Sequence, residues 1–296
     1  MKRLEQKNGE PEYPGGILYV VATPIGNLED ITLRALRVLK EVDLIAAENV
    51  RHSKRLCNHH GIGTRITSYH QHNRNNRAPE IINRLRSGKD VALVTSAGTP
   101  AISDPGVLLV NKAHEEGIRV SPVPGPSAAT AALSVCGLDV AEFLFIGFLS
   151  NRSGRRKNEI KGLADETRTM IFYEAPHRII SMLRDLQEIF GRNRKIVILR
   201  ELTKVYEEIR QATVGDVIDE LEHSDIKGEF TIVVEGKVPR KTDNKIDSII
   251  KGKIAKMLTE NRMGVKDIAT LLSRESGLSY RSIYRECIAF KKTVHQ

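Results

Sequence analysis

Short, nearly uninterrupted apolar runs alternate along the chain with longer stretches whose apolar residues recur at helical spacing. In the first half the runs are GILYVVATP (16–24), VDLIAAE (42–48), DVALVTSAG (90–98) and RVSPVPG (119–125). In the second they are FLFIGFL (143–149), TMIFYEA (169–175), KIVILREL (195–202) and FTIVVEG (230–236). Runs of this length, rich in β-branched residues and bounded by turn formers, read as strands, and their alternation with helices makes an α/β protein. The first four are nearly all apolar, as strands covered on both faces must be, and helices such as Leu33–Glu41 and Pro105–Glu116 supply the crossovers that parallel pairing needs. A mostly parallel sheet is expected there. Three prolines and a glycine in SPVPGPS (121–127) can continue neither helix nor strand, which places a hinge near Pro124, α/β domains at 17–123 and 124–238, and a cleft between them. Residues 1–16 read as a flexible extension. After the polar PRKTDNK (239–245), helical patterns at Ile246–Thr259, Val265–Ser276 and Tyr280–Phe290 form a small C-terminal helical domain over 245–296. There Gly277 is placed to end one helix and Ser279 to cap the next, as in a helix-turn-helix or a plain helical hairpin.

A length of 296 residues fits two cores and a small appendage. With 40% apolar and 28% charged residues the chain is too apolar to be disordered as a whole. No stretch approaches the roughly 20 apolar residues of a membrane span, and the N-terminus carries no hydrophobic signal region, so a cytoplasmic protein without a membrane partner is expected. Cys57, Cys136 and Cys287 are widely spaced with no CxxC pair, which indicates neither a disulfide framework nor a cysteine zinc site. The formal charge is +9, and 14 basic against 6 acidic residues lie beyond Gly236, so the basicity is concentrated in the tail. Such a concentration points to a polyanionic partner, because each phosphate neutralised releases counterions.

Neither GxxxxGK[ST] nor a complete GxGxxG is present, which excludes a P-loop nucleotide hydrolase. Three junctions rich in small residues instead follow predicted strands: ATPIGN (22–27), SAGTPAISDPG (96–106) and PGPSAATAA (124–132). Open α/β sheets bind ligands at that edge, and small side chains let the backbone approach a ligand closely. These loops carry no basic residue, so a neutral or cationic ligand recognised by backbone fits better than a phosphate. The histidines of CNHH (57–60) and SYHQHN (68–73) do not have zinc spacing, and no metal is expected. Tyr69 and His70 are either substrate contacts or parts of a surface loop. Basic residues gather at Arg51, Lys54 and Arg55, on the helix after residue 73, and in SNRSGRRKNEIK (150–161), read as a basic loop flanking the cleft and positioning phosphates.

The strings VATPIGNLEDITLRAL, AAENVR, SYHQHN, SAGTPAISDPG, VPGPSAATAAL, FIGFL, FYEAPHR, LRELTK and GEFTIVVEG run in order between Leu18 and Gly236. In that order they resemble the ribosomal RNA small subunit methyltransferase I family of the tetrapyrrole methylase superfamily. The resemblance implies two α/β domains that are not of the Rossmann type, a homodimer, and S-adenosylmethionine bound between the domains. By position it implies cofactor contacts from Pro24, Gly98, Thr99, Ile102, Ser127, Ala128, Tyr173, Glu174, Glu201, Glu229 and Phe230. The implied activity is 2′-O-methylation of a cytidine in the decoding region of 16S ribosomal RNA, acting on the RNA or the assembled small subunit.

This chain departs from the family pattern at three places. It reads AENVR (47–51) where AEDTR is usual and has Ser96 where the SDAGTP pattern has Asp. Two carboxylates and a hydroxyl are absent, and losing a polar contact of this kind costs roughly 1–3 kcal/mol. Methyl transfer to a hydroxyl depends mainly on alignment, and the hydroxyl must lose its proton. Glu48 and His70 are the candidate bases. Arg51, Arg155, Arg156, Lys157 and Arg178 are the candidate RNA contacts, with the tail adding affinity. The competing expectations are a tetrapyrrole or other small-molecule methylase of the same fold and a catalytically weakened RNA-binding relic.

Overall fold

A computed structural model describes residues 15–238, 248–260, 263–276 and 278–294. Residues 1–14 of the expected extension, the PRKTDNK segment and Gly277 lie outside the described residues. Two compact units divide between Gly236 and Lys237.

In the first unit, five strands form one sheet: β1 (Leu18–Val21), β2 (Leu44–Ala47), β3 (Ile66–Ser68), β4 (Val91–Val94) and β5 (Val120–Val123). Their order is β3-β2-β4-β1-β5 and every pairing is parallel. Side chains alternate across a strand, and both faces are apolar here because helices cover both. Ile45 and Ala47 of β2 pack with α1 (Leu33–Glu41) and α2 (Val50–His59), while Leu44 and Ala46 pack with α3 (Arg74–Arg86) and α4 (Val107–Glu115). Local chemistry sets the helix starts: Thr32 accepts a hydrogen bond from Ala35 N at 3.1 Å, and Asn49 accepts one from His52 N at 3.1 Å. Asn49, a departure from the family pattern, thus keeps the capping function that an aspartate would have.

The chain then passes through α5 (Ala128–Val135) into a second sheet. Its strands are β6 (Phe143–Phe148), β7 (Thr169–Glu174), β8 (Lys195–Arg200), β9 (Glu208–Thr213) and β10 (Phe230–Val234), in the order β6-β7-β10-β8-β9. Only β6–β7 is parallel. The helices of this half are α6 (Ser153–Gly162), α7 (Ile179–Phe190) and α8 (Val214–Leu221). Segment 150–161, expected as a loop, is therefore helical from Ser153. Its one inward apolar residue, Ile160, gives too little periodicity to announce a helix, and the other inward residue is Arg156.

The proline-rich segment near Pro124 separates the two sheets, but both sheets belong to one compact unit. Contacts between the halves show why. Asn27 N donates to Thr203 Oγ1 at 3.1 Å, and a Cβ at Gly26 would fall 2.8 Å from the Leu202 carbonyl oxygen. Ala132 and Cys136 of α5 and its end pack with Val197, Leu199 and Val233 of the second sheet.

The second unit holds α9 (Ser248–Thr259), α10 (Val265–Ser276) and α11 (Tyr280–Val294) around a core of its own. Ile254, Ile268, Leu272, Ile283 and Cys287 are at most 2% exposed.

Candidate cofactor and substrate cleft

The ends of β1 and β4 are joined by a two-way backbone bridge between Thr23 and Gly98. Gly98 adopts φ +79°, open to glycine and strained for other residues, so the chain can turn back over the sheet edge. The loop that follows is itself strained, with Ala101 and Ser103 at φ 69° and 60°. This loop seats against the second sheet. Gly147, in a β-bulge at φ +71°, has no room for a Cβ, which would lie 2.6 Å from Ser103 Oγ.

Between these loops and the second sheet opens a cleft of about 470 Å³. One wall is the loop after β4, from Thr95 to Asp104, with Glu48 behind it; the floor is Ile25, Ser127 and Ala128; the opposite wall is Phe148, Tyr173, Glu174, Glu229 and Phe230. Gly98, Thr99, Ile102, Ser127, Ala128, Tyr173, Glu174, Glu229, Phe230 and Glu48 therefore share one cleft. Four other sequence-derived positions do not line it. Pro24 is buried beside the bridge, and its neighbour Ile25 faces the cleft instead. Glu201 is held away, because its Oε1 accepts from Lys204 Nζ at 2.7 Å and from Glu229 N at 2.9 Å. Burial pushes its carboxyl up, but Lys204 and the Glu229 N–H outweigh that and hold it below the usual carboxylate range. His70 does not line the cleft, and Tyr69 is only 1% exposed and cannot meet a substrate.

Three carboxyl groups in the cleft differ in their surroundings. Glu48 Oε2 accepts from Ser96 Oγ at 2.7 Å, Ser96 N at 2.9 Å and Thr95 Oγ1 at 2.9 Å. Burial raises its pKa, but these donors outweigh burial and hold it below its ordinary value. Asp104 is the reverse. Its Oδ1 accepts from Gly106 N at 2.7 Å, while its Oδ2 is buried with no partner, and burial, with the negative charge of Glu48, pushes its carboxyl up. Glu174 has a fully buried side chain, 3.1 Å from the Arg178 guanidinium but without hydrogen-bond alignment, and burial pushes its carboxyl up as well. Among the described residues, no Lys or Arg lines the cleft.

A model of the tetrapyrrole (corrin/porphyrin) methylases matches residues 17–218. The chain belongs to that family. Among its curated relatives, ribosomal RNA small subunit methyltransferase I of Pseudomonas aeruginosa is 42% identical over 92% of this chain and 97% of its own length. The protein of that name from Halalkalibacterium halodurans is 48% identical over 75% of this chain and 76% of its own length. The fold is shared with cobalt precorrin-4 methyltransferase (TM-score 0.60, 18% identity, 77% of this chain and 98% of that one) and with diphthine synthase (TM-score 0.60, 16% identity, 74% and 90%). The chain is a methyltransferase, and its methyl donor is S-adenosylmethionine. The cleft fits that donor. Its volume lies in the range of small-molecule sites, its small-residue loops leave backbone groups free to contact a ligand, and a carboxyl-lined, cation-free wall suits a sulfonium.

The sequence motifs did not single out Asp104 or Phe148. Asp104 lies in the loop SAGTPAISDPG, with only its place at a strand end to mark it; Phe148 lies at the end of a strand run, where an outward aromatic reads as core. The basic candidates divide. Arg51 and Arg155 are exposed. Arg156 is corrected: it is 4% exposed, with Nε 2.6 Å from Asp185 Oδ2, and no phosphate reaches it. Lys157 pairs with Glu188 at 2.5 Å and keeps a third of its side chain exposed. Arg178 donates to the Leu149 and Ser150 carbonyls and faces Glu174, so it braces the ends of β6 and β7.

Proposed function

We propose that this chain methylates the 2′-hydroxyl of a cytidine in the decoding region of small-subunit ribosomal RNA. The names and 41–48% identities of its relatives support ribosomal RNA as the substrate class. The observation that carries the chemistry is the unpartnered Asp104 Oδ2 in a cleft lined by small residues.

Gly98, Thr99, Ser127 and Ala128 hold the donor through backbone groups, with Tyr173 and Phe230 as aromatic walls. When bound, S-adenosylmethionine supplies an electrophilic methyl group, and the protein supplies alignment, which is worth roughly 7–11 kcal/mol for well-oriented partners. Asp104 is the base of this proposal, because its carboxyl lines the cleft and burial makes it the stronger base. Glu48, saturated by three donors, is the weaker base and orients Thr95 and Ser96 instead. Arg51 and Arg155 meet the RNA backbone. A cytoplasmic homodimer belongs to the same proposal.

The test is transfer of radiolabelled methyl from S-adenosylmethionine to unmethylated small ribosomal subunits, with naked ribosomal RNA alongside, followed by nucleoside analysis. Label in 2′-O-methylcytidine is the expected result. Label confined to bases, or none on either substrate with folded protein that binds the donor, overturns it.

A further inference from the structure

The first two turns of α11 carry two aromatic rings and two arginines on adjoining stripes. Tyr280 and Tyr284 stack with ring centroids 5.8 Å apart and planes at 21°. Tyr284 packs against the core of the tail, whereas Tyr280 is 42% exposed, so the stack runs from the core out to solvent. Arg281 and Arg285, at the same four-residue spacing, are both exposed. Two other tail cations are paired: Lys251 with Glu286 at 3.1 Å and Lys253 with Glu275 at 3.1 Å. Neither Arg281 nor Arg285 has a carboxylate within 4.0 Å among the described residues, and like charges one turn apart repel.

An open ring face beside two uncompensated arginines matches an unpaired base and its flanking phosphates. A base inside a duplex offers no such face, since the neighbouring base pairs stack on both of its sides, whereas an unstacked base is free to stack on an aromatic side chain. We propose that the start of α11 is a platform for single-stranded RNA, on which a base stacks over Tyr280 while Arg281 and Arg285 hold the adjacent phosphates. This rests on the RNA assignment above and names a surface for that partner outside the cleft.

The test uses the full chain and the fluorescence anisotropy of a labelled 12-nucleotide oligouridylate, with a 12-base-pair RNA duplex for comparison. Tyr280→Ala is expected to weaken oligouridylate binding about 5- to 150-fold, the range for one stacked base, with duplex binding unchanged. Tyr280→Phe keeps parental affinity, because the ring face is retained. Arg281→Ala/Arg285→Ala lowers the slope of log affinity against log salt by about 1.4, two phosphate contacts on a single strand. Unchanged oligouridylate affinity in Tyr280→Ala, or an equal loss on the duplex, overturns the platform. So does a smaller sedimentation coefficient in Tyr280→Ala, which assigns the face to a second copy of the chain. If ribosomal RNA is not methylated yet oligouridylate binding falls as described, the platform stands and the substrate assignment fails; if ribosomal RNA is methylated but oligouridylate binding does not move, the substrate assignment stands and the platform fails.

Discussion

Removing Asp185 alone and removing it together with Arg156 should have opposite consequences. The two side chains are 8% and 5% exposed and their charged atoms are 2.6 Å apart. Deleting one partner of such a pair strands a buried charge, at about 3–5 kcal/mol, whereas replacing both with apolar residues of similar volume is neutral or stabilising by about 1–4 kcal/mol. Lys157 does not rescue the single variant's arginine, and it keeps Glu188 as its own partner. At roughly 2–4 °C per kcal/mol for a unit of this size, Asp185→Ala should lower Tm by about 6–20 °C, and Arg156→Met/Asp185→Leu should melt at or above the parent. Circular dichroism melts and urea titrations of both variants supply the numbers. Filter binding on the folded double variant adds the functional arm: RNA affinity should stay within about twofold of the parent, since a buried guanidinium contacts no phosphate. A melt of Asp185→Ala within about 2 °C of the parent would refute the buried pair, and a large loss of RNA affinity in the double variant would return Arg156 to the RNA surface.

Ser96→Ala deletes the 2.7 Å donor to Glu48, worth about 1.5–3 kcal/mol to a charged acceptor at pH 7. Because the folded pKa of Glu48 is depressed, that stability is present above its unfolded value of about 4.3 and vanishes as pH falls through the folded value. Urea unfolding should therefore separate parent and variant at pH 7 and bring them together near pH 3; a gap that persists in acid refutes the ionised acceptor. Asp104→Asn keeps an oxygen for Gly106 N but removes the base, so single-turnover methyl transfer should drop by about 10²–10⁴ with donor affinity unchanged. The folded pKa of Asp104 is raised, so the parent loses stability as pH climbs from the unfolded toward the folded value, and Asp104→Asn should melt higher at pH 7; a lower melt counts against the burial cost. Gly147→Ala forces a Cβ into φ +71° and to 2.6 Å from Ser103 Oγ, and should cost at least about 1–2 kcal/mol and weaken donor binding by calorimetry. Unaltered donor affinity would show that the loop after β4 does not depend on the bulge.

Where a segment repeats its own period, the structure follows the sequence closely, although Pro105–Glu116 is helical only over Val107–Glu115 and the helix expected over Tyr280–Phe290 runs on to Val294. Leu33–Glu41 and Val265–Ser276 are helices with the expected bounds, and the near-continuous apolar runs of the first half are the parallel strands β1, β2, β4 and β5. The elements that escaped sit at edges. β3 is three half-buried residues, and β9, EIRQAT, closes the second sheet with mostly polar residues, so neither carries a run of apolar side chains. α6 escaped because a buried arginine occupies an inward position that a hydrophobic pattern cannot register. In the cleft, the strand-end loops were legible because small residues and prolines mark close backbone approach. The split between Asp104 and Glu48 was not, since it depends on which carboxyl oxygen finds a donor. Glu201 illustrates the converse: only the fold shows Lys204 curled onto it three residues later.

Ser96 is the departure with the most direct bearing on chemistry. Its hydroxyl stands 2.7 Å from Glu48 Oε2 and donates to it. An aspartate in this backbone position would set a second carboxylate against Glu48, and two carboxylates that close cannot both ionise without a large upward shift of one pKa. Serine removes the conflict, and Glu48 keeps its negative charge at neutral pH. That charge acts in turn on Asp104, whose pKa it helps to raise alongside burial. The loss of a carboxylate at position 96 thus leaves a fixed anion at Glu48 and an unpartnered, more basic oxygen at Asp104 in the same cleft. Glu48 thus holds three donors on one oxygen, while Asp104 keeps Gly106 N on Oδ1 and no partner on Oδ2, an asymmetry that suits an alignment-driven methyl transfer with one proton to remove.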